Sequence, residues 1–439
     1  MKTLRAFTAL LFLLPALALA DVTVQVNDQI ELKATHHAGV PLHNQPRGTD
    51  DFQRVSDGTR ATVLEIASTN RWLRIRLSDD RQGWISPKYV GRVVSGTGPG
   101  NGNGTLTTAE AERLVWSSAA DCQRVVDSRN KLPREISDSL RVGAWNIRWF
   151  PEGCSPSESC PESSTDVAWL ACTIAWMDVD LLAVEEILET PEAVQAMNDL
   201  RNRLNTLTGG SWQVDLSDCG ESSAQRLGFL WNGNRVRLNG QADSCELNGA
   251  AAEGSCPDAC AGRLRPGRYA RAQSMKSGGA DFHILAAHFD SGRNNTDYQR
   301  RRIAVERIPF VEIGGASLFD TDSDVVALGD LNTMGRQEPP AISEAEEIAI
   351  LDEELAPGFS RLLPQFQCSE YFQGRGGLLD HILVSTAMQE DGPGTLLTGY
   401  CAVERCASIQ GPMPAAYERL SDHCPILFEV IDQDLDEDF

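Results

Sequence analysis

Basic residues are scarce in this sequence, where 39 lysines and arginines stand against 62 aspartates and glutamates and give a formal charge of −23 at pH 7. This imbalance excludes a protein that binds nucleic acid through a broadly basic surface. It does not exclude a local phosphate site, because a metal centre and a small arginine cluster can hold a phosphate inside an acidic molecule. Long-range steering of a polyanion would be repulsive, so divalent cations should assist its association.

Long apolar runs are also scarce, and the longest lies at the N-terminus. Met1, Lys2 and Arg5 surround the start of an apolar stretch from Ala6 to Leu17, which ends in Ala18-Leu19-Ala20. This pattern is typical of a secretory signal peptide and is too short for a membrane span. We predict a signal peptide over residues 1–20, no transmembrane segment, and a secreted or periplasmic protein.

The sequence has no Cys-x-x-Cys pair, which makes a zinc site the weaker explanation for its 12 cysteines. All of them follow residue 20, and an even, high count in an exported protein predicts disulfides. Free buried thiols are the alternative. Cys256/Cys260 and Cys401/Cys406 form local clusters, but spacing alone leaves the pairing open.

Residues 21–95 show short alternating segments separated by Asn, Asp, Gly and Ser, which predicts a small all-β unit. The run from Gly83 to Val90 resembles a bacterial Src-homology-3-like domain. Such domains in exported proteins often bind cell-wall peptide or act as spacers, so peptidoglycan is a candidate partner. Trp72, Trp84 and Tyr89 either line a binding groove or fill the core of the barrel.

Composition changes at residues 96–106, where repeated Gly and Asn predict a flexible linker. Residues 107–139 form a helical lead-in that we expect to pack on the following domain. Between 140 and 431, apolar strand-like runs alternate with helical stretches such as Glu192 to Leu204 and Gln299 to Val311. This predicts an α/β domain with stacked sheets flanked by helices, followed by an acidic tail at 432–439.

Several predicted strands end in polar residues that a core strand does not need. These strand ends are Asn146-Ile147-Arg148, Glu185-Glu186, His288-Phe289-Asp290, Gly329-Asp330-Leu331-Asn332, Asp380-His381 and Ser421-Asp422-His423. Each has a structural explanation when taken alone, such as a turn or a helix cap. His283, in contrast, lies inside a strand and is interpreted as a packed histidine. Together the strand ends indicate a catalytic site, because strand ends are where a rigid scaffold presents reactive groups.

The residue types favour hydrolysis of a phosphate ester. The oxygen ligands of Glu186, Asp422 and Asn146 suit Mg²⁺ or Mn²⁺. Asp330 can orient or deprotonate water, and a histidine paired with a carboxylate, His288 or His423, can donate to phosphate or assist proton transfer.

The order of these motifs resembles the endonuclease/exonuclease/phosphatase superfamily over residues 140–430. The resemblance implies a four-layer α/β sandwich with two mixed sheets. It also implies Mg²⁺ or Mn²⁺ as cofactor, with a structural Ca²⁺ ion as an additional candidate. Asn146, Glu186 and Asp422 correspond by this resemblance to metal-binding residues.

The same resemblance implies the remaining roles. His288 corresponds to the phosphate-side histidine, Asp330 and Asn332 to the water-orienting and phosphate-binding pair, and Asp380 to the carboxylate that supports a histidine. His423 corresponds to the closing catalytic histidine. The expected catalytic set is therefore His288, Asp330, Asp380 and His423, with Asn332 on the substrate side.

The sequence departs from the superfamily pattern in two places. Glu185 stands where the family commonly has Gln, so the extra carboxylate either alters metal affinity or faces solvent. Residues 245–260 resemble an insertion ahead of Arg265-Pro266, a pair similar to the family's Arg-Pro segment. The register of that similarity stays open.

The substrate class depends on fewer residues. The run from Asn146 to Phe150 resembles the deoxyribonuclease I branch, which implies that Arg148 contacts a DNA phosphate; the alternative is a surface arginine paired with an acid. Arg293 and residues 300–302 either extend a phosphate track or form a solvated face. We predict an exported DNA endonuclease of low sequence specificity that can also accept RNA. The alternatives are a phospholipid or small phosphate-ester hydrolase and a non-catalytic cell-wall-binding protein.

Overall fold

The computed structural model describes most of the chain after residue 105 and part of the chain before it. The described residues are 18–19, 22–23, 28–33, 40–43, 53–56, 58–66, 72–77, 81–86, 89–96, 106–155, 164–217, 225–248, 265–320, 322–356, 358–392 and 394–435. The chain divides into two compact units, Met1–Thr107 and Thr108–Phe439.

The described part of the first unit is built from short strands. They are β1 (Ala18–Leu19), β2 (Val22–Thr23), β3 (Asp28–Leu32), β4 (Val40–Leu42), β5 (Gln53–Val55), β6 (Arg60–Ile66), β7 (Leu73–Leu77), β8 (Gln82–Ile85) and β9 (Val90–Gly96). Five of them form a sheet in the order β8-β7-β6-β3-β9, and β4 pairs with β5. Alternation sets the faces: in β7, Leu73, Ile75 and Leu77 are buried while the two intervening arginines are exposed.

This β-rich region confirms the all-β prediction for the first unit. The resemblance to a Src-homology-3-like domain stays a prediction. Trp72, Trp84 and Tyr89 are all half-buried, and Tyr89 packs against the core of the sheet. Most of the predicted signal peptide, the linker after Gly96, most of the insertion at 245–260 and the last four residues of the tail lie outside the described residues.

The second unit contains two six-stranded mixed sheets. The first has the order β12-β13-β11-β10-β25-β24 and the second β14-β15-β16-β19-β23-β20. Their strands are β10 (Ser139–Phe150), β11 (Leu181–Leu188), β12 (Trp212–Leu216), β13 (Gln225–Asn232), β14 (Val236–Ser244), β15 (Gly267–Ser274), β16 (Asp281–Ala286), β19 (Val325–Asp330), β20 (Phe359–Arg361), β23 (Asp380–Ser385), β24 (Leu396–Leu397) and β25 (Ile426–Ile431). Two hairpins lie outside the sheets, β17 (Glu312–Ile313) with β18 (Ala316–Ser317), and β21 (Glu370–Phe372) with β22 (Arg375–Gly377).

Helices cover the outer faces of both sheets. The described ones are α1 (Thr108–Val115), α2 (Ala119–Asp127), α3 (Val167–Met177), α4 (Pro191–Thr208), α5 (Asn295–Arg307), α6 (Glu344–Leu355), α7 (Tyr400–Glu404) and α8 (Ala415–Arg419). Helices α2, α3 and α4 pack together beside the first sheet, while apolar residues of α5 and α6 pack with residues of the second sheet. The sheets face each other through β10 and β19. This confirms the predicted four-layer α/β sandwich.

Local sequence explains where these helices differ from the prediction. Helix α5 begins at Asn295, earlier than expected, because Asn294 and Asp297 form a capping box. It ends at Arg307 because Pro309 supplies no backbone N–H and disfavours helical geometry just before it. The predicted lead-in helix is two helices, since Ser118 caps a second start by accepting a hydrogen bond from the backbone of Asp121.

Disulfides link segments that are distant in sequence. Cys122 pairs with Cys172, Cys368 with Cys406, and Cys401 with Cys424, so the local Cys401/Cys406 cluster is not itself a bridge. Every cysteine in the described part of the chain is disulfide-bonded. No helix within the described ranges is long and apolar enough to cross a membrane.

Candidate functional site

The two sheets present polar side chains at one shared edge. Each sheet contains a central parallel pair, β10 with β11 and β16 with β19. Asn146 and Glu186 lie near the C-terminal ends of the first pair, while His288 follows β16 and Asp330 ends β19. Parallel strands end on the same side, so face-to-face packing of the sheets brings the four side chains together.

Antiparallel neighbours add the residues from the C-terminal part of the chain. Asp380 begins β23 and lies directly opposite Asp330 in the register of the second sheet. His423 lies just before β25, which runs antiparallel to β10. A strand that enters the sheet at this edge therefore contributes its first residues to the same site.

A bulge between β10 and β11 orients Glu186. The register shifts between Asn146 and Phe150, and Glu186 has a φ of 60°. This left-handed backbone costs a non-glycine residue about 1 kcal/mol or more, and bulges commonly redirect a side chain beside a functional site. The Glu186 carboxylate accepts hydrogen bonds from the backbone N–H of Trp149 at 2.9 Å and from Nδ2 of Asn146 at 3.3 Å.

Asp330 lies at the centre of the cluster. Its Oδ2 is 3.2 Å from Nδ2 of Asn146, 3.4 Å from Nε2 of His288 and 3.7 Å from Nε2 of His423. Its Oδ1 accepts the backbone N–H of Asn332 at 2.9 Å. Burial, only partly opposed by the charge of His423, raises the pKa of Asp330 to about 7. Near neutral pH this carboxyl can therefore both accept and release a proton.

His423 and Asp380 form a buried pair. Nδ1 of His423 lies 2.8 Å from Oδ2 of Asp380. Burial lowers the pKa of the imidazole, but the carboxylates of Asp380 and Asp330 outweigh it and hold the pKa well above its ordinary value. His423 is therefore protonated at neutral pH and presents its Nε2 proton toward Asp330.

His288 has the opposite charge state. It is buried, and burial together with the charges of Arg265 and His423 lowers its pKa well below the ordinary value. Its Nδ1 makes no hydrogen bond in the described structure and lies 3.7 Å from Oε2 of Glu185. A neutral imidazole with a free nitrogen can bind a metal ion.

Glu185 is fully buried, so the interpretation that it faces solvent is wrong. Its two carboxylate oxygens accept the backbone N–H of Asp330 at 3.2 and 3.1 Å. Burial and the neighbouring charge of Asp330 raise its pKa well above the ordinary value. The sequence identified the departure from the family pattern, but only the packing of the two sheets shows which way the side chain points.

Two further residues of the site were not selected from the sequence. Arg265 is buried, donates to Gln225, and leaves Nε and Nη1 without a partner in the described structure, while its charge acts on Glu186, Asp330 and Glu185. The sequence contains the Arg265-Pro266 pair, but its alignment with the similar superfamily segment stayed open. Glu370 pairs with His423 as an isolated β-bridge, and burial raises its pKa to about 8. No motif marked this glutamate.

The other predicted site residues lie around this cluster. Arg148 lies over the ring of Tyr417 at 5.1 Å, donates from Nη2 to the carbonyl of Glu418 at 3.5 Å, and forms no ion pair with an acid in the described part of the chain. Asn332 donates from Nδ2 to the carbonyl of Phe289 at 3.1 Å. The Asp422 carboxylate accepts from Oγ of Ser421 at 3.3 Å. Burial raises the pKa of Glu186 and the charge of Asp422 adds to it, so the two acids interact.

Two of the four histidines of the second unit, His283 and His381, lie outside the cluster. His283 bonds to the hydroxyl of Tyr269 at 2.9 Å inside the second sheet, as expected of a packed histidine. His381 follows Asp380 but bonds to Oγ1 of Thr333 at 2.8 Å, and burial lowers its pKa to about 3. Strand alternation places it on the face opposite to Asp380.

The three arginines at 300–302, in the middle of α5, pair with acids and so neither extend a phosphate track nor form a solvated face. Arg301 is buried and binds both carboxylate oxygens of Glu347 at 2.7 and 3.0 Å. Arg300 pairs with Asp290, and Arg302 with Glu354. These arginines tie α5 to its surroundings.

The donor set of the cluster fits a divalent cation. Ligand atoms of Glu185, His288 and Asp330 lie within 4.8 Å of one another, the one such group of His, Cys, Asp or Glu side chains in the described part of the chain. Asn146 and Glu186 add an amide and a carboxylate bonded to each other. Carboxylate oxygens with one imidazole suit Mg²⁺ and Mn²⁺, and the excess of buried acids over cations favours a bound positive charge.

Neither a scan against protein-family models nor a search of curated proteins finds a match for this chain. Among solved structures, TDP2 from D. rerio complexed with single strand DNA product is 14% identical, with a TM-score of 0.42 and coverage of 67% of this chain and 99% of that one. An endonuclease/exonuclease/phosphatase family protein from Bacteroides thetaiotaomicron is 14% identical, with a TM-score of 0.43 and coverage of 68% and 98%. The human nocturnin catalytic domain with bound sulfate anion is 15% identical, with a TM-score of 0.41 and coverage of 67% and 95%.

Proposed function

We propose that this protein is a divalent-metal-dependent phosphodiester hydrolase that acts on nucleic acid, most readily as a DNA endonuclease of low sequence specificity. The observation that carries the proposal is the position of Asp330, whose Oδ2 lies 3.4 Å from Nε2 of His288 and 3.7 Å from Nε2 of His423. Hydrolysis of a phosphate ester needs a group that accepts a proton from water and another that donates one to the leaving oxygen.

The side chains can share these tasks. Asp330, held in place beside His288 and His423, can orient a water molecule and accept its proton. His423, held by Asp380, can donate its Nε2 proton to a phosphate oxygen or to the leaving alkoxide. Asn332 donates its backbone N–H to Asp330 and so fixes the carboxyl in position.

Two cationic groups are available to bind the phosphate. Arg265 has unpartnered buried N–H groups beside the acids, which a non-bridging phosphate oxygen can satisfy. Arg148 is half-buried and lies over Tyr417 beside the site, where a neighbouring phosphate of a polymer can bind.

We propose that Asn146, Glu186 and Asp422, together with Glu185 and His288, hold the cation. When bound, Mg²⁺ or Mn²⁺ would polarise a non-bridging phosphate oxygen and offset negative charge in the transition state. The predicted signal peptide supports action outside the cytoplasm, and the first unit is proposed to contact the cell wall or to act as a spacer.

The decisive experiment compares substrates with the purified full chain. Supercoiled plasmid, RNA, sphingomyelin and an inositol phosphate are incubated with Mg²⁺, Mn²⁺ or EDTA, together with His288→Ala, Asp330→Asn and the exposed control Asp127→Asn. We expect plasmid nicking that EDTA abolishes, a loss of roughly 100-fold or more in the two site variants, and normal activity in the control. Nicking that persists in EDTA or in both site variants contradicts the mechanism, and turnover of sphingomyelin alone contradicts the substrate class.

A further inference from the structure

The β21–β22 hairpin, Glu370–Gly377, lies directly beside the catalytic edge. Its first strand is bonded to the segment that contains His423: the backbone N–H of Tyr371 donates to the carbonyl of Asp422 at 3.1 Å, and that of Cys424 donates to the carbonyl of Ser369 at 2.7 Å. The Cys368–Cys406 and Cys401–Cys424 disulfides fix both sides of this contact. The hairpin is therefore part of the rim of the site.

Strand alternation determines which hairpin side chains face the site. The Glu370 carboxyl interacts with His423, Asp422 and Asp330, and Phe372, two residues later, lies on the same face. Tyr371 lies on the opposite face, where it is fully buried and donates its hydroxyl to the carbonyl of Ala407 at 2.8 Å. Arg375 pairs directly with Phe372 across the hairpin, so the aromatic ring and the guanidinium are neighbours on the Glu370 face.

Both of these side chains are accessible. Phe372 is 65% exposed, and Arg375 is exposed and forms no ion pair with the described residues. The turn between them, Gln373-Gly374, has a positive φ at both positions and is narrow, which holds the two side chains together at the tip. An exposed aromatic ring with an adjacent unpaired cation is the combination that binds a base and its phosphate in single-stranded nucleic acid.

A cavity of about 450 Å³ adjoins the tip of the hairpin. It lies between the turn and the segment 408–413, which is held by a hydrogen bond from the backbone N–H of Ile409 to the carbonyl of Gly374 at 2.8 Å. Its lining includes the amides of Gln373 and Gln410, which offer both donors and acceptors. Such a lining fits the edge of a polar heterocycle better than a lipid chain, and the volume is in the range of small-molecule sites.

We propose that Phe372, Arg375 and the adjoining cavity bind the nucleotide next to the scissile phosphate, with its base stacked on Phe372 and its phosphate at Arg375. This inference rests on the proposed function and narrows it to single-stranded or locally unpaired substrate. Both faces of a base in a duplex are already stacked, so Phe372 becomes available to a base only after that base has left the stack.

The test uses dinucleotides, because they contain a single scissile bond and define the position of each base. Hydrolysis of a thymidine dinucleotide is compared with that of its two analogues that lack one base or the other, using the full chain. The variants are Phe372→Ala, Phe372→Trp, Arg375→Ala and Phe310→Ala. Phe310 is 75% exposed and makes no described contact with the site, so it is the matched control.

We expect the unmodified protein to prefer the intact dinucleotide over one of the abasic analogues by about tenfold, the usual size of one stacking contact. Phe372→Ala should lose this preference, Phe372→Trp should keep it, and Phe310→Ala should behave like the unmodified protein. Arg375→Ala should raise KM for a longer single strand more than for the dinucleotide.

The outcomes separate the two proposals. If the dinucleotides are cleaved but Phe372→Ala discriminates as Phe310→Ala does, the hairpin assignment is wrong and the proposed function stands. If bis(p-nitrophenyl) phosphate is hydrolysed but no nucleotide is, the nucleic-acid substrate and the hairpin assignment are both wrong. If a plasmid duplex is cleaved faster than the same strand made single-stranded, the preference for unpaired substrate is wrong.

Discussion

Individual charges set the chemistry of this site, and burial determines their state. Oδ2 of Asp330 lies 3.7 Å from Nε2 of His423, yet the pKa of Asp330 is raised to about 7 and the pKa of His423 is also raised. The first shift follows from desolvation of the carboxylate and the second from the carboxylates around the imidazole. Burial and the positive charges of Arg265 and His423 lower the pKa of His288, so that imidazole remains neutral.

Glu185→Gln tests the extra carboxylate of the metal site. Glutamine keeps the shape of the side chain but removes a negative charge next to Asp330 and His288. We expect the affinity for Mn²⁺ to fall by about tenfold, measured by calorimetric titration, and the metal concentration for half-maximal activity to rise in parallel. Glu353→Gln, on an exposed position of α6, is the control. Unchanged Mn²⁺ affinity would show that Glu185 is only a structural acid.

His381→Gln tests the pH dependence of stability. The pKa of His381 is lowered to about 3 in the folded protein, whereas an unfolded histidine titrates near pH 6.5. The unfolded chain therefore binds one more proton than the folded chain between these pH values. The contribution of the neutral His381 side chain to the free energy of unfolding is complete above pH 6.5 and is lost as the pH falls. Removing the imidazole should reduce the slope of unfolding free energy against pH by up to about 1.4 kcal/mol per pH unit. Denaturant unfolding at pH 4.5, 5.5 and 6.5 measures the slope, and equal slopes in both proteins would contradict the assignment.

Strand ends and bulges position the reactive groups at the scale of secondary structure. β19 ends in Gly329-Asp330, and Gly329 has a φ of 137°. A Cβ at this position would lie 2.1 Å from the carbonyl oxygen of Ala287 and 2.7 Å from Oε1 of Glu185. The glycine therefore lets β19 approach the segment after β16 closely enough for Asp330 to meet His288.

Gly329→Ala should consequently destabilise the protein and displace Asp330. We expect a loss of roughly 3 kcal/mol or more in unfolding free energy, because backbone strain and a backbone clash add. Gly278→Ala separates the two effects: its φ is 65°, but nothing lies within 4 Å of the added carbon, so its cost should be only about 1–2 kcal/mol. Thermal and denaturant unfolding measure both variants, and similar losses would rule out the close approach as the cause.

The whole molecule is strongly acidic, and its net charge affects the association with a polyanionic substrate more than the chemistry at the site. A chain of charge −23 repels a polyanion at distances where the local cations Arg148, Arg265 and Arg375 are not yet felt. These cations act only at short range, so binding requires the polymer to approach against the overall field.

The salt dependence of nucleic-acid cleavage should therefore be unusual. At saturating Mn²⁺, raising NaCl from about 0.01 to about 0.1 M shortens the Debye length from about 30 to about 10 Å and screens the overall repulsion. We expect kcat/KM for single-stranded DNA to stay level or to rise over this range, in contrast to the steep fall of proteins with basic DNA-binding surfaces. Initial rates at constant metal concentration provide the measurement. A fall of tenfold or more in kcat/KM over this range would contradict the prediction.

The sequence alone determined the elements and the residue types of the site. Strands such as 181–184 and 325–328 were readable because burial on both faces requires continuous apolar residues, and the polar residues that follow them are ones that a core strand does not need. These are local properties, which depend on neighbours a few positions away. They predicted Asn146, Glu186, His288, Asp330 and His423 as site residues, and the structure places all five at one edge.

The tertiary structure decided the contacts between distant residues. Asn146 and Asp330 are 184 residues apart, and their hydrogen bond depends on how two sheets pack face to face. The burial of Glu185, the free N–H groups of Arg265 and the place of Glu370 beside His423 follow from that packing and from a bulge in β10 and β11. Side-chain direction at a bulge and register between sheets are set by the sum of many long-range contacts, so no local pattern in the sequence encodes them.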